Sequence, residues 1–575
     1  MKTFEFNRVI PFRVLVLLAL FLWGGEYVLR DPWEPDEARF TLVAREMREG
    51  NHWLVPHRQG EFYTHKPPLM FWLINAGVAA GLPENAATRL PSFLGALMAL
   101  WSITRLAARW HSPRTSWWVA LLLPSSFLFW NKGGFGQIDM LLCGLEMMGL
   151  WFLFTTPSPQ PSPAMRERGP DRLPLPLGEG RGEGLCRLVA AYLFLGLAVL
   201  AKGPVGLVIP LAVFAAASWA AGEGGRLRGW HWVWGPLLAL SLPGLWLLAA
   251  WWSGAPDGFF HELLFSQNVG RVTGEFGGHE KPWYYFLLYF PVDFMPWTLA
   301  LPLAVAGLMR RDEDLRALRR LVAWIVVVIL LFSLSASKRN LYILLVYPAA
   351  ALLVAASVER WADVGLVWIR NTRRALLALA GLVVAGLVAA AFVPRADLPW
   401  WSVAPSVLAL LVGVALAMRW PAGKPAWLAA LAASVLVCFS GIGSLVYHQF
   451  NDEKTPVEFV AVAQRVLPPG HYIVLFKQQG EIISLFTRRP GRMADDEDEL
   501  RALLAAQPSN LIVAQASRLG EIRGLIGDHH PHGAFSSGSK KQIWVEASGS
   551  QPLLLEPAEQ RAGAGDESGE HDPRG

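Results

Sequence analysis

Cysteine is nearly missing from this chain: Cys143, Cys186 and Cys438 are the only three in 575 residues. All three lie in or beside apolar runs, which excludes a disulfide framework and a cysteine-based metal spacing. Charge is scarce as well. Asp, Glu, Lys and Arg make up 17% of the chain, where a soluble protein carries about a quarter. With hydrophobic residues at 53%, that shortage excludes both a disordered chain and a single water-soluble globule. No glycine-rich phosphate loop is present, so no nucleotide cofactor is expected. No small-residue cleavage site follows the first apolar run, residues 11–29, which therefore reads as an anchor and not as a signal peptide.

What the chain does have is long apolar runs and 27 Trp, a residue that gathers at the two faces of a bilayer. Runs near 11–29, 90–108, 116–131, 139–155, 188–201, 204–222, 232–252, 284–308, 321–336, 341–357, 375–393, 401–418 and 426–446 approach the roughly 20 residues that span a hydrocarbon core. The expected fold class is an α-helical polytopic membrane protein with about 13 transmembrane helices, external amphipathic helices and a small C-terminal α/β domain.

The basic residues orient it. The head carries Lys2, Arg8 and Arg13, which places the N-terminus in the cytoplasm. Threading the chain alternately then puts Arg105, Arg109 and Arg114, Arg226 and Arg228, Arg310 to Arg320, and Arg370 to Arg374 all in cytoplasmic loops, as the positive-inside rule requires. The net charge of +5 is thus explained by topology, with no nucleic-acid partner. Residues 67–82 are apolar but only 16 long, and counting them as a span would invert every later loop. They are expected to form a re-entrant or in-plane helix at the outer interface.

The domains expected are residues 1–446, membrane-embedded, and 447–547, an external α/β domain with strands at 471–476, 510–515 and 542–546 and helices at 495–506 and 517–526. Residues 157–186, rich in Pro, Gly and Arg, read as a flexible cytoplasmic insert. Residues 548–575 read as a disordered tail.

The orientation gathers unusual polar residues outside: WEPDEARF (33–40), YTHKPP (63–68), GQID (136–139), AKGP (201–204), the glycine-rich loop 253–283 and SKRN (337–340). Polar groups at membrane level are costly and mark function. Each patch has two readings. Asp36 is either a helix N-cap or a carboxylate able to act as a base. Lys66 either snorkels to headgroups or binds a lipid phosphate as a point charge. Asp139 caps a span or serves the same site, and Lys202 reads as a turn lysine. His65 and His279 together could hold a divalent metal.

In order, WEPDEARF, REM, GNHWLVPHRQGEFYTHKPPLMFWL, RLPS, GQIDM, AKGPVG, NVGR, HEKPWYY and SKRNLYILLVYP resemble the aminoarabinose-transferase and protein O-mannosyltransferase superfamily, polytopic GT-C glycosyltransferases, over roughly residues 10–450. The resemblance implies a bacterial inner-membrane enzyme with a periplasmic C-terminal domain. It would move a sugar from a polyprenyl (undecaprenyl) phosphate donor to a lipid A-like, glycan or protein acceptor, with membrane lipids around it. Carried over residue by residue, Asp36, Arg39 and Asp139 match catalytic positions. Lys66, Arg271, Lys338, Arg339 and Tyr342 match or complement the lipid-phosphate side, and His65 and His279 the metal. One departure is His65, where aminoarabinose transferases usually carry Glu before Lys-Pro-Pro. The rival readings are a transporter or lipid flippase of envelope biogenesis, and a non-catalytic scaffold. Transporters place polar groups near the bilayer midplane, whereas here they sit at the outer ends.

Overall fold

A computed structural model of the chain describes residues 8–157, 179–266, 281–393, 398–506, 511–518, 520–521, 533–537 and 540–546. The chain divides into two compact units. One is Met1–Arg30 with Trp53–Pro56 and Tyr63–Gln449, and the other is Asp31–His52 with His57–Phe62 and Phe450–Gly575.

The first unit is helical. Among the described residues nine helices are long and apolar enough to cross a membrane, up to ten if Tyr285–Asp293 and Trp297–Leu308, bent by 96° at the break, are counted as one broken span. The three remaining apolar runs fold as shorter pieces. Residues 116–131 become Pro113–Leu122 and Phe127–Gly134. Residues 204–222 become Val205–Ala220, and 341–357 become Asn340–Ile343 and Val346–Ser357. The apolar stretch after Lys66 folds as Leu69–Ala79, an 11-residue helix. At 1.5 Å per residue that is about 16 Å, half a hydrocarbon core. From the expected insert, residues 179–186 differ: they begin the helix Glu179–Lys202. Residues 158–178 and the tail lie outside the described residues.

Lipid tails are as apolar as leucine, so close backbone approach and satisfied polar groups hold such helices together. Glu84–Trp110 and Ile138–Thr155 meet on two glycines: a Cβ on Gly95 would stand 2.2 Å from the Met140 carbonyl oxygen, and one on Gly144 2.3 Å from the Gly95 oxygen. Three fully buried indoles find acceptors: Trp23 donates to the Trp130 carbonyl (2.9 Å), Trp297 to Ser125 Oγ (3.0 Å) and Trp324 to the Leu345 carbonyl (3.1 Å).

The second unit is a five-stranded sheet flanked by helices. Its spatial order is Gly491–Ala494, Ile473–Phe476, Leu511–Gln515, Lys540–Glu546, Gly533–Ser537. The first three strands run parallel and the last two join antiparallel. Both faces are buried. Ile473 and Leu475 pack into one core, Val474 and Phe476 into another, so these strands read as continuous apolar runs. The helix at 495–506 is found as Glu497–Ala505. Around 517–526 the described part is a 3-10 helix at Ala516–Arg518 and helical backbone at Gly520 and Glu521. The edge strand Gly491–Ala494 carries no apolar alternation and is invisible to periodicity. The helix Asp36–Glu49 also belongs here, because Ala38 and Leu42 share the core of Phe459, Ala463 and Ile483.

Candidate functional site

In the first unit, a cavity of about 450 Å³ opens beside the turn that follows Lys202. Its polar lining residues are His65, Lys66, Lys202, Ser335, Ser337 and Tyr342, and the rest of the lining includes aliphatic and aromatic side chains such as Val199, Ile209, Leu247, Leu331 and Phe332. Each polar group arrives from a helix end. Pro67 and Pro68 stop the preceding chain and Pro68 starts Leu69–Ala79, which leaves Lys66 just before an N-terminus. Lys202 closes Glu179–Lys202, and Gly203 turns the chain at φ +96°, where a side chain would strain. Tyr342 sits in the short helix Asn340–Ile343 after the Ser-Lys motif.

Asp139, in the first turn of Ile138–Thr155, forms an ion pair with Lys202. The Lys202 ammonium also lies 4.4 Å from the centroid of the Tyr342 ring, a cation–π distance, and that ring packs on Phe332 at 5.8 Å. Glu146, two turns below Asp139, is buried in the field of both Lys202 and Asp139.

The segment leading to Asp139 is fastened down. Tyr27 donates to the Gly133 carbonyl, and Arg30 to that of Gly134 (3.2 Å). The Arg30 guanidinium stacks 3.9 Å over Phe135, and Ser92 Oγ bridges the N–H (2.8 Å) and carbonyl (3.0 Å) of Gln137. Arg30 is held by Glu26 at 3.0 Å, and Arg89 donates to the Arg30 carbonyl at 2.7 Å.

The structure thus brings His65, Lys66 and Tyr342 to one cavity, and joins Asp139 to it through Lys202. Lys202 is the residue sequence reasoning undervalued; its signal was a cation closing an apolar run in a Lys-Gly-Pro turn. Lys338 is placed differently from a free phosphate ligand. Its ammonium donates to the carbonyls of Lys281 (2.9 Å) and Ser335 (2.5 Å), and burial lowers its pKa. It locks the turn that presents Ser335 and Ser337. Arg339 precedes Asn340–Ile343 and stands outside the described lining of the cavity. Arg271 and His279 lie outside the described residues. His65 packs against Tyr63 with centroids 5.2 Å apart, and among the described residues no group of three His, Cys, Asp or Glu is arranged to hold a metal.

An acid that sequence reading passed over is Asp293, the one acid in the run 284–308. It is buried at the bend, accepting from Asn340 (3.3 Å) and Tyr347 (3.5 Å), so it ties the bend to the Ser-Lys-Arg-Asn turn.

Asp36 and Arg39 belong to the second unit. Asp36 is the first helical residue, behind Pro35 at the cap position, and Glu37 reaches back to accept from Trp33 N–H at 3.1 Å. Glu37 thereby fixes the chain that leads into the helix, and no side chain caps its first turn. Asp36 is 7% exposed and takes Arg39 Nη2 at 3.1 Å.

No family model matches the chain. It is 26% identical over 477 residues to the undecaprenyl phosphate-alpha-4-amino-4-deoxy-L-arabinose arabinosyl transferase of Erwinia tasmaniensis, covering 78% of each protein. Against the transferase 1 of that name from Pseudomonas fluorescens it is 27% identical over 337 residues, and the chain spans about half of that relative (54%; 58% of this chain). Among solved structures, it superposes on ArnT from Cupriavidus metallidurans bound to undecaprenyl phosphate with a TM-score of 0.70 at 20% identity, over 95% of this chain and 99% of that one. The apo form gives 0.72 at 19% identity, over 94% and 99%. At that identity the likeness is one of fold.

Proposed function

We propose that the chain is a glycosyltransferase of the aminoarabinose-transferase-like GT-C type, and that it transfers a sugar from undecaprenyl phosphate to an acceptor at the outer face of the bacterial inner membrane. It is a multi-pass membrane protein. The N-terminus lies in the cytoplasm and the C-terminal domain in the periplasm, as the distribution of arginines indicates. The acceptor class is lipid A-like, with a glycan or protein as the other members of the same reaction class.

The observation that carries this reading is one cavity lined both by the cations Lys66 and Lys202 and by aliphatic side chains, a combination that suits a phosphate on a hydrocarbon chain. Lys66 and Lys202 would take the phosphate, Tyr342 and Ser337 its remaining edge. The acceptor oxygen attacks the anomeric carbon, the bond from that carbon to the donor phosphate oxygen breaks, and the electron pair leaves with the lipid phosphate. The leaving phosphate gains one negative charge, and a fixed cation or donor aimed at such charge is worth about 3 kcal/mol. An acceptor phosphate is already anionic, so no proton moves. An acceptor hydroxyl loses its proton to Asp36. One displacement inverts the anomeric centre.

The test is mass spectrometry of lipid A, glycans and envelope proteins from strains with and without the gene. The expected result is one glycoconjugate losing a sugar residue, and that loss reproduced by Lys66→Met and Asp36→Asn. An unchanged set of glycoconjugates would sink the transferase reading.

A further inference from the structure

We infer that Glu481, from the C-terminal part of the chain, is a positioning residue for Asp36 and acts on it through Arg39. The inference rests on Asp36 being the reacting carboxylate proposed above. Glu481 is 6% exposed and faces two arginines, Arg39 (3.8 Å) and Arg58 (3.4 Å). Arg39 in turn holds Asp36 at 3.1 Å and donates to the Pro35 carbonyl at 3.3 Å. One guanidinium is thus divided between two carboxylates brought together from opposite ends of the sequence.

The frame around this junction is rigid. Arg45 donates to the Leu485 carbonyl (2.6 Å). Gln59 Nε2 donates to the Gln479 carbonyl (2.6 Å) and to Ser484 Oγ (3.2 Å). Glu46 accepts from the N–H groups of Gln59 (2.8 Å) and Gly60 (3.2 Å). Glu481 itself is delivered by a turn that needs glycine. Gly480 has φ +57°, and a Cβ there would come within 2.8 Å of the Leu475 side chain. These ties clasp the helix Asp36–Glu49 and the hairpin His57–Phe62 onto Glu481–Thr487.

The electrostatic consequence has a sign. A carboxylate opposite Arg39 offsets part of the positive potential that Arg39 imposes on Asp36, and leaves Asp36 a stronger base. Removing Glu481's charge would leave the positive potential of Arg39 on Asp36 less offset and lower the Asp36 pKa. Removing Arg58 would do the reverse, because the cluster around Asp36 would lose a cation. A residue that merely packs would not produce shifts of opposite sign.

The experiment is an infrared titration of the protonated-carboxyl band of the purified full-length protein, with the Asp36→Asn spectra subtracted to isolate Asp36. Glu481→Gln is expected to move the Asp36 midpoint down by about one pH unit, Arg58→Gln to move it up, and Glu481→Asp to leave it near the parent value. In cells, glycoconjugate product should fall about ten-fold in Glu481→Gln, a fraction of what a general base contributes, and recover in Glu481→Asp. A midpoint unmoved by Glu481→Gln, or moved the same way by Arg58→Gln, overturns the inference and leaves the transferase reading untouched. Full product formation in Asp36→Asn overturns the role of Asp36 in that reading instead.

Discussion

The ion pair of Asp139 and Lys202 makes an experiment with opposite outcomes at its two ends. Their side chains are 7% and 11% exposed, closer to an interior pair than to a surface one. Exposed pairs contribute up to about 1 kcal/mol and broken interior pairs cost about 3–5 kcal/mol, so a pair opening on a cavity lies near 2 kcal/mol. Under the proposed function Lys202 divides itself between Asp139 and a lipid phosphate. Asp139→Asn keeps the shape and removes the competitor, so undecaprenyl phosphate should bind up to about 30-fold more tightly, the equivalent of 2 kcal/mol. Lys202→Met removes a charge-assisted bond worth about 2 kcal/mol and leaves an acid beside the phosphate, so binding should weaken by about 30-fold or more. The double variant, without the acid's repulsion, should fall between the parent and Lys202→Met. Calorimetric titration of undecaprenyl phosphate into detergent-solubilised protein reads all four affinities. If Asp139→Asn weakens binding, or Lys202→Met stays within two-fold of the parent, Lys202 is no phosphate ligand and the cavity has been misread.

Further predictions concern what holds the site in place. His111 follows the helix Glu84–Trp110, and burial pushes its pKa down to about 4, with Asp314 raising it and Arg320 and Arg360 lowering it further. Between pH 6.5 and about 4 the unfolded chain takes the proton first, so stability falls as pH falls through that window, by about 3 kcal/mol in full. Melting curves at pH 4.5 and 7.5 should show His111→Gln with a flatter dependence, and equal slopes would contradict it. Gly95→Ala puts a methyl 2.2 Å from a backbone oxygen and should cost about 2–3 kcal/mol. Gly386→Ala, which meets nothing within 4 Å, should not lower the melting temperature, and similar melting for the two would refute the close-packing argument. Glu26→Gln removes the charge facing Arg30 and should cost about 3 kcal/mol. It should also loosen the segment before Asp139, read as faster hydrogen exchange at residues 133–138 with no change in the C-terminal sheet.

The span pattern was legible because a membrane segment is specified by its own residues. Each apolar run is long enough by itself, and each arginine is costly to carry across by itself. The runs at 116–131 and 341–357 were legible as apolar but not as broken. In the first, the break at Leu123–Ser126 is fixed by Ser125 and Ser126 bonding back to carbonyls of the preceding turn and by Trp297 donating to Ser125, a partner far away in sequence. The helix Asp36–Glu49 was legible, but not its membership of the C-terminal unit, because amphipathic periodicity says that a face is buried and never against what.

Of the candidate site, sequence supplied the residue types: acids and cations collected on one side of a chain that can afford few of either. It could not supply their pairing. Lys66, Lys202 and Tyr342 share a cavity because three separate helix ends meet there, and Asp139 faces Lys202 because its helix packs closely on Glu179–Lys202, where a Cβ on Gly149 would stand 2.5 Å from the Leu195 side chain. Glu481 had no signal, being one acid among many in a soluble-looking stretch. Composition and the length of the apolar runs alone determined the membrane class, since transfer free energies are additive along a chain. Which charge meets which was decided by tertiary structure, since an ion pair depends on distance and burial, and neither is a property of any one segment.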